Sequence, residues 1–176
     1  MNKIIFLLWV LFAICTSHFT LAAKGVYQTP KAFISASLGE NSQAKMLWLT
    51  KEDKMIIANI LNHKYNRMRI RYWQSGHESV WILDEIGKEK PITIGVHINV
   101  NQGKQHIKKL KVLTFRESRG DEVRHDFYAK QFTYASLNSD KRLTKHIDGI
   151  TGATLSVRAT TKIARLALWL SGKAKQ

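Results

Sequence analysis

The apolar residues between positions 29 and 61 have the spacing of two amphipathic helices. Thr29 and Pro30 are typical of a helix start, and Gly39 is typical of a helix end. Further along, Thr50 and Asp53 have the spacing of a capping box, ahead of residues that form an apolar face at helical period. The sequence therefore predicts two helices. Their expected buried residues are Phe33, Ile34, Leu38, Ile56, Ile57, Ile60 and Leu61.

Apolar residues then recur at every second position, which is typical of half-buried strands. After a possible strand at 46–49, the pattern predicts strands at 66–73 and 80–86. Alternation is clearest at 92–100, and a polar turn leads from there into 106–115, which predicts a β-hairpin. The strand at 66–73 is expected to expose Arg67, Arg69 and Arg71 and to bury Met68, Ile70 and Tyr72.

The C-terminal third is expected to be helical. A helical stretch at 123–132 is followed by a polar loop through Ser139 and Asp140, and the final helix is predicted at 155–170. The chain contains no internal repeat, low-complexity block or linker. We expect one α+β domain at 24–176, with a twisted antiparallel sheet flanked by helices.

The first residues have the order of an export signal. Lys3 precedes an unbroken apolar run at 4–14, and a more polar stretch then ends in small residues. Because the run is shorter than the ~20 residues that span a bilayer, we interpret 1–23 as a cleaved signal peptide rather than a permanent anchor. Cleavage is expected near Ala22 or Ala23, and the expected location is the periplasm.

Composition limits the chemistry of the exported chain. The single cysteine, Cys15, lies in the signal segment, so disulfides, thiolate catalysis and zinc–thiolate sites are excluded from the rest. The histidines have no metal-ligand spacing, and neither a metal site nor a catalytic residue is predicted. The formal net charge of the full sequence is +15, and Lys3 is the one charged residue in the signal segment. So basic a chain favours anionic partners, including contact with a membrane surface. Nucleic acid is not an expected partner of an exported protein.

One segment, DGITGATLS at 148–156, carries the functional prediction. It resembles the flavinylation motif of the FMN-binding domain family, which includes the C subunit of the sodium-pumping NADH:quinone reductase and the G subunit of the Rnf complex. That motif has an Asp, two variable residues, Ser or Thr, Gly, Ala, and the Thr or Ser that takes the flavin. The residues in these places are Asp148, Gly149, Ile150, Thr151, Gly152, Ala153 and Thr154.

A second segment, FRESRG at 115–120, resembles the family's Glu-Thr-Pro-Gly pattern. Glu117, Ser118 and Gly120 match it, and Arg119 stands in place of the proline. By element order the resemblance extends over roughly 79–170.

The resemblance implies covalent FMN, joined through a phosphoester bond to the Thr154 hydroxyl. It also implies a separate, magnesium-dependent flavin transferase that uses FAD and releases AMP. At the start of the final helix, free N–H groups and the helix dipole favour a phosphodiester anion, and Arg158 could add a charge-assisted hydrogen bond. Gly152 and Ala153 leave room for close approach, and Asp148 could orient the segment within the transferase.

We therefore predict an exported electron carrier that relays electrons between a membrane-bound reductase and an extracytoplasmic acceptor. The rival prediction is a basic envelope module that docks on anionic lipid or an acidic protein without redox activity. A flavin enzyme with its own small substrate is a third alternative. The motif at 148–154 could also be a plain helix-capping loop. Trp73 and Trp81 are interpreted as core residues rather than flavin contacts. The arginine face at 67–71 is a candidate docking surface for an acidic partner.

Overall fold

The computed structural model describes residues 25–174, so the predicted signal peptide and its cleavage site lie outside the described residues. Four α-helices and five strands follow one another in the order α, β, α, four strands and two helices. The helices are α1 (Pro30–Leu38), α2 (Lys51–Leu61), α3 (Asp126–Ala129) and α4 (Thr154–Lys173). The strands are β1 (Gln43–Trp48), β2 (Arg69–Ser75), β3 (Glu78–Ile86), β4 (Pro91–Asn101) and β5 (Lys104–Thr114).

The strands form one antiparallel sheet in the order β1-β2-β3-β4-β5, so each strand pairs with its neighbour in the sequence. At the β4–β5 turn, Gln102 and Gly103 both have positive φ, at 49° and 78°. Two left-handed residues are what a two-residue hairpin turn requires, because they match the twist of the flanking strands. The predicted single α+β domain with an antiparallel sheet and flanking helices is confirmed.

One face of the sheet carries the main core. Alternate residues of β4 point to this face and are buried, and α4 packs on β3, β4 and β5 with α2 beside it. The largest buried side chain is Trp81, which stacks on Tyr72 with ring centroids 4.5 Å apart. The confirmed core residues of β4 are Ile92, Ile94, Val96, Ile98 and Val100.

The opposite face of the sheet is covered in part by α1. Phe33 and Ile34 of α1 pack with Val80 and Leu113, and Trp73 lies half-buried at the edge of this smaller cluster. Gly95 of β4 makes the close approach possible, because a Cβ atom at that position would stand 2.6 Å from the Phe33 ring. The core interpretation is therefore confirmed for Trp81, whereas Trp73 is only partly buried.

The predicted helix starts are present in the structure. Thr29 accepts a hydrogen bond from the Ala32 N–H at 3.2 Å, Pro30 opens α1, and Gly39 ends it. At α2, the Asp53 N–H donates to Thr50 Oγ1 at 3.2 Å and the Thr50 N–H donates to Asp53 Oδ2 at 2.9 Å, which is the predicted capping box. Local side chains thus satisfy N–H groups that the helix itself leaves unpaired.

Two sequence-based expectations were wrong in detail. Met68 was expected in a strand and buried, but it precedes β2 and is 59% exposed. The expected helix at 123–132 is broken into a 3₁₀ turn, α3 and a second 3₁₀ turn, because His125 adopts an extended conformation. Val123 and Tyr128 are five positions apart, a spacing that one regular helix would not keep on the same face, and the break lets both be buried.

Hydrogen bonds hold two irregular segments of the chain, one before α1 and one before α4, to the rest of the domain. The Tyr27 and Gln28 N–H groups donate to the Leu113 carbonyl at 2.9 and 3.2 Å, so the segment before α1 covers the end of the edge strand β5. The irregular connection at 133–153 is held to α4 by Arg165, whose Nε donates to the Lys141 carbonyl at 2.7 Å.

No helix of residues 25–174 is long and apolar enough to cross a membrane.

Candidate functional site

Thr154 is the first residue of α4, and its side chain is exposed. The preceding turn is formed by Gly152, whose φ of +84° lies in the left-handed region, and by the buried Ala153, whose N–H donates to the Ile150 carbonyl at 3.0 Å. Glycine adopts positive φ without steric cost. A glycine and a small buried residue therefore place the Thr154 hydroxyl in solvent at a fixed helix start.

The first turn of α4 has free hydrogen-bond donors. Ala153 occupies the N-cap position without a side-chain hydrogen bond. Among the described residues, the N–H groups of Thr154, Leu155 and Ser156 have no acceptor. Unpaired N–H groups and the positive end of the helix dipole together favour a phosphate or another anion at this position. The donor set fits the phosphate of an FMN ester.

The exposed face of α4 begins at Thr154 and continues along the helix. Successive steps of four, three and four residues lead to Arg158, Thr161 and Arg165, and such steps keep side chains on one side of an α-helix. Arg158 is exposed, while Thr161 and Arg165 are partly exposed. Thr160, by contrast, is fully buried, with its Oγ1 2.6 Å from the Tyr128 hydroxyl. Thr154 is therefore more accessible to a modifying enzyme than Thr160.

The segment 115–120 lies beside the start of α4. Gly120 has a φ of +87°, and a Cβ atom on it would stand 2.7 Å from Ser156 Oγ and 3.6 Å from the Ala153 Cβ. Only glycine suits both the backbone conformation and the space. The structure thus brings together the two segments that carry the family resemblance.

Within the same segment, Glu117 supports the turn between β3 and β4. Its Oε1 accepts hydrogen bonds from the N–H groups of Lys88, Glu89 and Lys90 at 2.6, 2.6 and 2.8 Å. Desolvation raises the pKa of Glu117, but the three N–H donors outweigh it and hold the pKa below its ordinary value. Ser118 is exposed next to it. The contacts of Glu117 show a structural role for the carboxylate, alongside its candidate role near the flavin.

Asp148 and Thr151 lie on the exposed loop that leads into α4. The Asp148 N–H donates to Gln131 Oε1 at 2.7 Å, and Asp148 Oδ1 is 3.5 Å from His146 Nε2 with both side chains largely in solvent. The backbone of the loop is thus fixed while the Asp148 carboxylate remains accessible. Such an arrangement suits recognition by another protein.

A buried carboxylate cluster lies further along α4, and the sequence did not indicate it. The Glu85 side chain of β3 is 3% exposed, and it contacts His63 Nε2 at 2.9 Å and Lys162 Nζ at 3.1 Å. The hydrogen bond to Glu85 raises the pKa of His63. No sequence signal could have found the cluster, because its members lie on β3, on α4 and in the loop after α2. No group of three or more potential metal ligands occurs among residues 25–174.

Residues 87–169 match the family model described as FMN-binding domain. The match begins at the turn held by Glu117 and includes the segment that ends in Thr154. The match therefore indicates a flavin-binding domain at these residues. More particularly, residues 87–169 belong to the FMN-binding domain family, which confirms the family predicted from the sequence. No curated protein and no solved structure matches the chain.

Proposed function

We propose that this protein is an exported electron carrier in which FMN is esterified to Thr154. The observation that carries the proposal is the position of Thr154. Its exposed hydroxyl opens α4 at the end of a complete flavinylation motif, within the matched FMN-binding domain. The unpaired N–H groups of the first helical turn stabilise the charge of a phosphodiester, and Arg158 lies one turn further along the same face.

The attachment is a transfer of a phosphoryl group by a separate magnesium-dependent transferase. The Thr154 oxygen forms a bond to the phosphorus of the FMN half of FAD, and the diphosphate bond breaks. AMP leaves, and the hydroxyl proton passes to a base of the transferase. Gly152 leaves space for that enzyme, since nothing lies within 4 Å of a Cβ atom built on it, and the exposed Asp148 is available to orient the segment.

The bound FMN supplies one- and two-electron transfer, which the side chains of the exported chain do not provide. The protein's own residues hold the phosphate and set the surroundings of the ring. Covalent attachment also suits the periplasm, because a carrier that lost its cofactor there would find little free flavin to replace it. The proposed partners are a membrane-bound reductase and an extracytoplasmic acceptor.

The decisive experiment is intact-mass spectrometry of protein exported from a host that co-expresses a flavin transferase. The proposal expects a mass gain of one FMN less water, mapped to the peptide that contains Thr154. Thr154→Ser should retain the modification because it keeps the hydroxyl, and Thr154→Ala should lose it. Thr161→Ala is the matched control, since Thr161 lies on the same face of α4. A Thr154→Ala protein that keeps its flavin through denaturation would contradict the proposal.

The basic envelope module remains the second candidate, and it too rests on a specific observation. A groove of about 360 Å³ beside β5 has four lysines in its lining, Lys108, Lys109, Lys111 and Lys130, together with one carboxylate, Asp126. Lys108 also forms an ion pair with Glu78. Clustered lysines attract polyanions through interactions that salt screens. A colourless protein whose binding to anionic vesicles disappears with added salt would favour this candidate. A yellow protein with covalently bound flavin would favour the electron carrier.

A further inference from the structure

A second cationic groove, of about 300 Å³, lies between α4 and the loop that precedes it. One wall is formed by Thr161 and Arg165 of α4 and the other by residues of 142–147. Arg165 also joins the two walls, because its Nε donates to the Lys141 carbonyl. The groove is lined by Arg142, Leu143, Lys145, His146, Ile147, Thr161 and Arg165.

The charges of this groove are not neutralised by its own lining. Three of the lining residues are arginine or lysine, a fourth is histidine, and none is a carboxylate. Asp148, outside the lining, places a carboxylate oxygen 3.5 Å from His146, so the charges without a carboxylate partner among the described residues are those of Arg142, Lys145 and Arg165. Burial lowers the pKa of Arg165, and the neighbouring positive charge of Arg142 lowers it further. Two guanidinium groups held near one another without an intervening carboxylate create a local positive potential that an anionic ligand would relieve.

The groove and the attachment site share the solvent-facing side of α4. Thr154, Thr161 and Arg165 are separated by steps of seven and four residues, which return to the same side of a helix. At 1.5 Å per residue, Thr161 lies about 10 Å and Arg165 about 16 Å along the helix axis from Thr154. A partner seated in the groove would therefore meet the start of α4.

We propose that this groove is the docking site for a carboxylate-bearing segment of the protein that exchanges electrons with the flavin. The identity of the partner as an electron-transfer protein rests on the proposed function, but the groove and its charge do not depend on the flavin. Arginine pairs with carboxylates through two parallel hydrogen bonds, and complementary charge speeds the encounter of two proteins.

The mixed lining of the groove favours a protein over a lipid surface. Leu143 and Ile147 are partly exposed beside the cationic side chains. Apolar contact next to paired charges is typical of protein interfaces. The flanking apolar residues would pack against a folded acidic segment.

The test is titration of the mature, full-length chain with a hexaglutamate peptide, followed by NMR of backbone amides with and without bound flavin. Arg142→Gln removes one positive charge from the groove, and Arg71→Gln removes one from the exposed face of β2. We expect amide shifts at 142–147 and 161–165. Arg142→Gln should weaken binding by about fivefold, as the loss of roughly 1 kcal/mol implies, whereas Arg71→Gln should leave it unchanged.

Three results would overturn the proposal. Equal weakening by both variants would show that net charge alone attracts the peptide. Weaker peptide binding by the Arg71→Gln variant only would show that the docking site lies on β2. Binding of phosphatidylglycerol vesicles that depends on Arg142, without peptide binding, would assign the groove to lipid. Because the peptide is also titrated against unmodified protein, failure here is distinct from failure of flavinylation, which the mass measurement reports.

Discussion

Gly120 touches Ser156: a Cβ atom on the glycine would stand 2.7 Å from the serine Oγ. The contact joins the segment that follows β5 to the first turn of α4, where Thr154 is located. It is also the point at which the two sequence motifs of the domain meet. The geometry of the attachment site therefore depends on a residue without a side chain in a different loop.

Gly120→Ala tests this dependence. The substitution places a methyl group in a left-handed backbone and against Ser156, so we expect a loss of unfolding free energy of roughly 2–5 kcal/mol. Flavin incorporation at Thr154 should fall as the helix start is displaced. Thermal unfolding and intact-mass spectrometry measure the two effects.

Gly103→Ala is the matched control for that change. Gly103 has a similar φ of +78°, but no atom lies within 4 Å of its added Cβ. The Gly103→Ala variant should lose only the ~1–2 kcal/mol of unfolding free energy that a left-handed conformation costs an L-residue. Its flavin incorporation should be normal. Equal flavin loss in both variants would show that the Ser156 contact does not position the site.

Glu117→Gln tests the turn between β3 and β4. The amide oxygen is a weaker acceptor than a carboxylate for the N–H groups of Lys88, Glu89 and Lys90, so we expect about 1–3 kcal/mol of destabilisation at neutral pH. The pKa of Glu117 is lowered in the folded protein. Its stabilising contribution should therefore be present above the ordinary glutamate pKa and disappear as the pH falls through the lowered value.

Denaturant unfolding at several pH values measures this contribution. Glu122→Gln is the control, because it changes the charge equally at an exposed position. The interpretation is wrong if the two variants are equally stable at neutral pH.

Two histidines should make the stability depend on pH in opposite directions. The hydrogen bond to Glu85 raises the pKa of His63, so its contribution is complete below about pH 6.5 and is lost as the pH rises through the raised pKa. Burial lowers the pKa of His97 despite the nearby Glu78 carboxylate, so stability should fall as the pH drops from about 6.5 through the lowered pKa.

Thermal unfolding as a function of pH separates these contributions. His63→Gln should remove the fall in unfolding temperature on the alkaline side of about pH 6.5. The exposed His77→Gln should not remove it. Parallel curves for the wild-type protein and His63→Gln would exclude the ion pair with Glu85 as the cause.

Gly95→Ala should separate stability from flavin attachment. The added methyl group would meet the Phe33 ring at 2.6 Å, and overpacking of this kind costs about 1–3 kcal/mol. Since α1 covers the sheet face opposite α4, flavin incorporation should be unaffected. The double variant Gly95→Ala/Phe33→Leu should recover part of the stability. Normal stability of Gly95→Ala, measured by thermal unfolding, would contradict the packing described for α1.

The features predicted correctly from the sequence are those that a few neighbouring residues determine. The Thr50–Asp53 capping box and the alternating residues of β4 were correct because each depends on a few neighbouring residues. The break at His125 was missed because it is set by which side chains reach the core, not by helix propensity alone.

The candidate site was predictable only in part. The motif at 148–154 located the helix start, and the structure added its exposure and the free N–H groups around it. The Gly120–Ser156 contact and the hydrogen bonds of Glu117 join residues from different elements. A single sequence carries no direct signal of which loops become neighbours, so these contacts had to come from the fold.

The consecutive order of the strands has a consequence for folding. Strands β2 to β5 form consecutive hairpins that close over short stretches of chain, which keeps the entropic cost of ordering them low. Helix α4 instead contacts β3, β4 and β5 from the far end of the chain. We therefore expect the sheet to form early and α4 to complete the core last, so a newly made chain would expose its apolar sheet face until the segment that carries Thr154 has docked.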